Sequence, residues 1–353
     1  MASRLRARPL ALFASLSLAV LAACTPASPG TTSAPATGAQ PTNGASGSLT
    51  VYSGRSESLV APLIERFRTE TGIDVQVKYG DTAELASTIL EEGDASPADV
   101  FFAQDAGALG ALADEGRLAA LPPDLLERVD SRFRSPDGVW VGVSGRARVA
   151  AYNPDLVGET ELPSSILEFT DPKWKGRLGW APTNGSFQAF VSALRVLEGD
   201  DAARAWLEGI QANEPRVYEG NDPALSAVAA GEVHVAFINH YYLMRRLAEE
   251  AEISARNHFF LAGDPGALVN VAGAGILTTA DQADAARTFI EYLLNDESQG
   301  YFAEETFEYP LVPGIPADSR LVPLEDIESP DIDLSDLSDL EGTLALLREA
   351  GVL

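Results

Sequence analysis

The apolar positions fall into alternating short runs and amphipathic stretches once the first 47 residues are passed. Ser48–Ser53 (SLTVYS) is compact and β-branched enough to predict a strand. Leu59, Val60, Leu63, Ile64 and Phe67 then recur at helical spacing up to Gly72, which reads as a stop. Ile73–Tyr79 predicts a second strand. Asp81 opens another helix with Glu84 as capping-box partner, and Gly93 closes it. Ala98–Phe102 predicts a third strand, followed by a helix from about Asp105 to Glu115. After Leu121-Pro122-Pro123, Val139–Tyr152 is extended over a length that would let it cross between two lobes. A second series follows: a strand at Leu178–Ala181, helices from about Ser186 and Asp201, a helix near Pro223–Ala230, a strand at Val233–Ile238 and a helix at Tyr242–Ala251. Val269–Leu277 reads as a return crossing. Such β-α alternation predicts an α/β fold with mostly parallel sheets and ligands at the carboxyl ends of strands.

Residues 1–24 change the picture. Arg4, Arg6 and Arg8 precede an apolar run from Pro9 to Ala23, shorter than the roughly 20 residues a spanning helix needs. The run ends in Leu21-Ala22-Ala23-Cys24, which resembles the lipobox of bacterial lipoproteins and marks Cys24 for acylation after removal of residues 1–23. Residues 24–47 hold little but small, polar and turn-forming side chains beyond Cys24, the composition of a flexible tether. The expectation is an extracytoplasmic protein held at the membrane by lipid.

Composition narrows the function classes. With 25 Lys+Arg against 52 Asp+Glu, a net charge of −27, the chain offers no basic surface for nucleic acid. Its single Cys excludes an intramolecular disulfide and any cysteine-rich zinc site. The acidic stretch Glu325–Glu341 lacks the glycine turn and closing Glu of a calcium loop and is read as a solvated covering segment. No nucleophile elbow, HExxH motif or paired acid motif is present, which leaves a metal-dependent hydrolase as a remote alternative.

The informative segment is Phe237-Ile238-Asn239-His240-Tyr241-Tyr242, where a strand runs into a helix through two adjacent phenols. Phenolate oxygen is a hard anionic donor suited to a small trivalent cation, and a bound cation can displace the phenol proton despite a pKa near ~10. The plainer reading is a pair of half-buried tyrosines anchoring a helix start. His240 reads as a surface residue rather than a ligand, and His234 and His258 have no motif around them.

In this order, LTVYSG (49–54), SPADVFF (96–102), SGRARVAAY (144–152), DPKWKG (171–176), NHYY (239–242), GDPGALV (263–269) and EYPL (308–311) resemble the ferric-ion-binding proteins, type II substrate-binding components of iron ABC importers. The resemblance implies a two-lobed type II periplasmic-binding-protein fold. Residues 48–147 and 272–322 would form the N-lobe, and 148–271 and 323–353 the C-lobe, closing on Fe(III). It implies Tyr241 and Tyr242 as iron ligands, with phosphate or carbonate as a synergistic anion. The segment Thr183-Asn184-Gly185-Ser186 would hold that anion at a helix N-terminus, helped by Asn221 and Asn239.

It also implies an inner-membrane permease and ATPase as partners of a monomeric binding protein. Ser56 and Gln104 stand where one branch has His and Glu, and Asn184 where another has a third Tyr. Glu57 or Asp105 are therefore possible substitute ligands, alongside Gln104, and Arg146 either neutralises the anion or pairs with a carboxylate. The missing donors leave open a fold of the same kind that binds an organic anion, such as a phosphonate or a phosphorylated vitamin.

Overall fold

The computed structural model describes residues 48–353 apart from 251. The signal segment, Cys24 and the tether lie outside those residues. Among the described residues there are ten strands: β1 (Leu49–Ser53), β2 (Val75–Tyr79), β3 (Val100–Ala103), β4 (Val141–Tyr152), β5 (Leu178–Trp180), β6 (Arg216–Val217), β7 (Val235–Asn239), β8 (Arg256–His258), β9 (Val269–Ile276) and β10 (Tyr309–Pro310). The helices are α1 (Glu57–Thr71), α2 (Thr82–Glu92), α3 (Ala106–Asp114), α4 (Pro123–Leu126), α5 (Gly185–Glu198), α6 (Asp200–Ala212), α7 (Asn221–Ala229), α8 (Tyr241–Glu249), α9 (Ala283–Leu293), α10 (Asp296–Glu304) and α11 (Leu340–Glu349).

The sheet runs in the order β2-β1-β3-β9-β4-β7-β5-β6. Its two ends are each parallel (β2-β1-β3 and β7-β5-β6), while β9 and β4 run antiparallel to their neighbours between them. The two lobes are thus stitched together at the centre. All twelve residues of β4 are buried; its first part pairs with β9 and its last with β7, so one strand belongs to both ends of the sheet.

Local chemistry accounts for the elements. The apolar stripe of α1 buries the five residues its spacing singles out, and Gly72 ends the helix at φ 72°, a left-handed conformation that costs a glycine little. Asp81 accepts from the Ala83 N–H at 2.9 Å, whereas Glu84 contributes charge to that first turn rather than the reciprocal bond of a capping box. A second aromatic core packs Phe169, Trp174, Phe187, Phe190, Trp206 and Phe237 between β7 and helices α5 and α6. No helix among the described residues is long and apolar enough to cross a membrane.

The acidic stretch departs from its reading as a merely solvated cover. Leu334 and Leu337 are buried, and this short turn lies directly on α3. The approach needs glycine: a Cβ on Gly107 would stand 2.6 Å from the Leu337 carbonyl oxygen, and one on Gly110 would stand 2.7 Å from that of Ser335. From there the chain enters α11, where Thr343 meets Ser192 of α5 at 2.7 Å and Asp339 meets Arg195 at 2.8 Å. The segment's carboxylates face water while its leucines bridge helices from both ends of the sheet. Gly107→Ala is expected to lose about 1–3 kcal/mol of stability, read as a lower urea midpoint, because the atom it meets is backbone and cannot swing away.

Candidate functional site

β7 delivers Asn239 at its carboxyl end, and His240, Tyr241 and Tyr242 follow at the start of α8. The tyrosine rings stack with centroids 4.3 Å apart at 27°. Tyr241 is fully buried and Tyr242 is partly exposed. Among the described residues the Tyr241 Oη has no hydrogen-bond partner. A buried, unpartnered hydroxyl costs about 1–3 kcal/mol unless something else engages it. Burial, then Tyr242 and Glu308, push the Tyr241 phenol well above its usual value, against the opposing pull of Arg55 and Arg146.

Three buried arginines surround this region. The Nη2 of Arg55, in the turn after β1, donates to both carboxylate oxygens of Glu308 at 2.7 and 2.8 Å, and its Nη1 to Gln104 Oε1 at 2.9 Å. Ser144 Oγ donates to the same carboxylate at 2.8 Å. Arg146 Nη1 donates to Ser186 Oγ at 3.3 Å, and its Nη2 to the backbone carbonyl of Gln104. Arg148 donates to Asn239 Oδ1 at 3.3 Å and to the Phe237 carbonyl at 3.1 Å, with its guanidinium over the rings of Phe187 and Phe190. Burial pushes Arg148 down to about 9, so it stays charged at neutral pH.

The arginines differ in how they are compensated. Arg55 has Glu308, but among the described residues neither Arg146 nor Arg148 is in an ion pair. Of the two readings of Arg146, pairing with a carboxylate does not occur among the described residues. Arg146, Arg148, Ser186, Asn239, Leu268 and Asn270 enclose a cavity of about 10 Å³, about one water in size.

The residues expected to hold an anion lie together. Asn184 caps α5 by accepting from the Ser186 N–H at 3.1 Å, and Asn221 Nδ2 reaches Asn184 Oδ1 at 3.4 Å. Asn239 Nδ2 donates to Ser186 Oγ at 3.1 Å, which joins β7 to the start of α5. Gly185 begins α5, and a Cβ there would lie 3.8 Å from Asp105 Oδ2, so the first turns of α5 and α3 face each other.

The possible substitute ligands are placed differently. Asp105 is buried and caps α3 through the Ala108 N–H at 3.2 Å; burial raises its pKa, against Arg146. Gln104 uses its amide oxygen on Arg55. Glu57 is exposed in the first turn of α1, and no ion pair or hydrogen bond among the described residues ties it to the cluster. No group of three or more His, Cys, Asp or Glu able to hold a metal occurs among the described residues.

His240 corrects its surface reading: it is fully buried. Ala147 N–H donates to its Nδ1 at 3.1 Å, which makes Nε2 the protonated nitrogen donating to the Phe307 carbonyl at 2.9 Å. Burial pushes its pKa down to about 4. Three participants escaped the sequence reading. Arg148 was within reach, because residues two apart in a strand share a face with each other, and Arg146 had been singled out. Arg55 stands where the carboxyl-end rule places ligand groups, and Glu308 lies inside the EYPL motif without any chemical signal of its own.

A two-lobed α/β body with a polar, cationic cluster where its helices converge is the architecture of solute-binding proteins. The chain belongs to the bacterial extracellular solute-binding protein family, whose model matches residues 95–326. It is 35% identical over 309 residues to the Fe(3+)-binding periplasmic protein of Serratia marcescens, covering 86% of this chain and 90% of that one. Among solved structures, iron-bound HitA from Pseudomonas aeruginosa matches with a TM-score of 0.82 at 37% identity, covering 86% of this chain and 99% of that one. The Trichodesmium protein IdiA (FutA), in complex with iron and citrate, matches at 0.73 and 30% identity over 87% of this chain and 100% of that one.

The Arg55–Glu308 pair has a definite pH signature. Burial alone would raise the Glu308 pKa, but Arg55 and then Arg146 outweigh it and hold it below its usual value near 4.5. A depressed carboxylate contributes stability that is present above the unfolded value and lost as pH falls through the folded one. Glu308→Gln should therefore cost about 3–5 kcal/mol at neutral pH and flatten the acid limb of a urea-midpoint profile below about pH 4.5. Replacing Arg55 and Glu308 together by Met and Leu should cost less than either single change.

Proposed function

We propose that this chain is the extracytoplasmic binding protein of an ABC importer and that its cargo is Fe(III), held by Tyr241 and Tyr242 with a small synergistic anion. The observation that carries this reading is the stacked tyrosine pair, whose buried hydroxyl lacks a partner among the described residues, beside two arginines that form no ion pair among them. Two phenolates neutralise part of the ferric charge. Arg146, Arg148 and the amide groups near Ser186 supply cationic and hydrogen-bonding contacts for phosphate or carbonate. Names borne by the relatives support the same cargo.

The remaining parts follow from this reading. Asn184, Gly185, Ser186, Asn221 and Asn239 hold the anion, and Asp105 or Gln104 approach the metal only if they give up their present bonds. The lobes, 48–147 with 272–322 and 148–271 with 323–353, close on the cargo. The monomer is anchored through Cys24 and passes iron to a permease and its ATPase, and it acts as a carrier rather than an enzyme.

A second reading keeps the fold and takes an organic anion, such as a phosphonate or a phosphorylated vitamin, as cargo. The unpaired Arg146 and Arg148 favour it. Titration with phosphate or a phosphonate without metal, set beside titration with Fe(III) and carbonate, separates the two: tight binding of the anion alone supports the second reading.

Under the iron reading, the loaded protein should be coloured by phenolate-to-iron charge transfer. Tyr241→Phe and Tyr242→Phe should each weaken or abolish the band and iron retention without unfolding the protein. Unchanged metal binding in both would remove the pair from the site. Because metal displaces both phenol protons, and burial holds that of Tyr241 tightly, iron uptake near pH 7 should release about two protons and weaken as pH falls. Calorimetry in buffers of different ionisation enthalpy counts the protons.

A further inference from the structure

The bonds around His240 have a purpose that neither a surface residue nor a ligand would explain. Every polar group of this residue is engaged. Its backbone N–H donates to the Ala147 carbonyl at 3.0 Å, and its own carbonyl accepts from Asn257 Nδ2 at 2.8 Å. Its ring accepts from Ala147 on β4 and donates to Phe307. The ring also stacks on Tyr309 at 4.6 Å and 26°, and stands edge-on to Tyr241 at 5.9 Å and 81°.

Phe307 is one of two non-glycine residues with positive φ among the described residues, at 57°. That conformation carries a cost of order 1 kcal/mol. The next residue is Glu308, whose carboxylate holds Arg55. The imidazole therefore connects three things: the start of the helix that carries the phenols, the crossing strand β4, and the corner that fixes the buried charge pair.

We propose that His240 is the positioning residue of the tyrosine pair: through its Nε2–H bond to the Phe307 carbonyl it fixes the start of α8 against the Phe307–Glu308 corner, which sets where the Tyr241 phenol stands relative to Arg55 and Glu308. The proposal rests on the iron reading only for its consequence in metal binding; the geometry it assigns exists in the metal-free protein.

Two substitutions isolate the bond. His240→Gln can still place an amide N–H near the position of Nε2 and donate to Phe307, whereas His240→Asn is too short for that bond and retains at most the acceptor for Ala147 N–H. Both lose the ring, so loss of its stacking and ring current is common to the two. The test uses the full chain with 13Cζ-labelled tyrosine, the Tyr241 and Tyr242 resonances being assigned from their Phe variants, and is followed by addition of Fe(III) with carbonate.

The expected result is that His240→Asn moves the metal-free Tyr241 resonance away from that of His240→Gln, beyond the ring-current change common to both. His240→Asn should also release iron about tenfold faster than His240→Gln, with a displaced charge-transfer band. Equal Tyr241 resonances in the two variants, both melting cooperatively, overturn the proposal. A parent protein that takes no iron while the Gln and Asn variants still differ in the metal-free spectrum overturns the iron reading and leaves the positioning role standing.

Discussion

Three guanidinium groups buried beside a single ion-paired carboxylate govern the centre of this molecule. Arg55 is balanced by Glu308, but Arg146 and Arg148 are held by a hydroxyl, an amide oxygen and two backbone carbonyls, all neutral. Hydrogen bonds of this kind lower the cost of burying a cation without cancelling its charge. Beside them lie a buried phenol without a partner among the described residues and a cavity about one water in size. An anion, a phenolate or both would complete the balance, which gives the cluster its chemical direction.

The strand β4 makes this concentration of charge possible. Arg146 and Arg148 alternate with apolar residues on a fully buried strand that pairs with β9 along one stretch and β7 along the next. The crossing point therefore holds Ser144, Arg146 and Arg148 where the helix starts of α3, α5 and α8 converge. The same strand supplies Ala147 to His240, so the tyrosine pair is tied to the strand that joins the two ends of the sheet. Farther out, Leu337 and Ser335 of the C-terminal segment lie on Gly107 and Gly110 of α3 before α11 meets α5, a second connection between those ends.

Much of this was legible residue by residue. Period and turn signals located β1 to β4 and α1 to α3 within two or three residues, because each such element has one apolar face and a short-range start or stop. The tyrosine pair was visible as two hard donors at a strand-to-helix junction, but the same pattern fits half-buried tyrosines anchoring a helix start, and only the family resemblance chose between the two. His240 was misread because nothing local distinguishes a buried imidazole from an exposed one. Its partners are Ala147 and Phe307, many residues away in the chain. Glu308 was silent for the same reason: one more Glu in an acidic chain acquires meaning only beside Arg55, which is 253 positions away.

The sequence alone determined the alternation of strands and helices, the strongly acidic balance of charge, and the candidate donors at Tyr241 and Tyr242. These depend on period, composition and neighbouring residues, which the chain carries openly. The tertiary structure decided which charges cancel and which do not. It paired Arg55 with Glu308, left Arg146 and Arg148 among neutral groups, and buried the Tyr241 hydroxyl beside them. Electrostatic balance in a low-dielectric interior depends on distances of a few ångströms between residues far apart in the chain, so no local pattern can specify it.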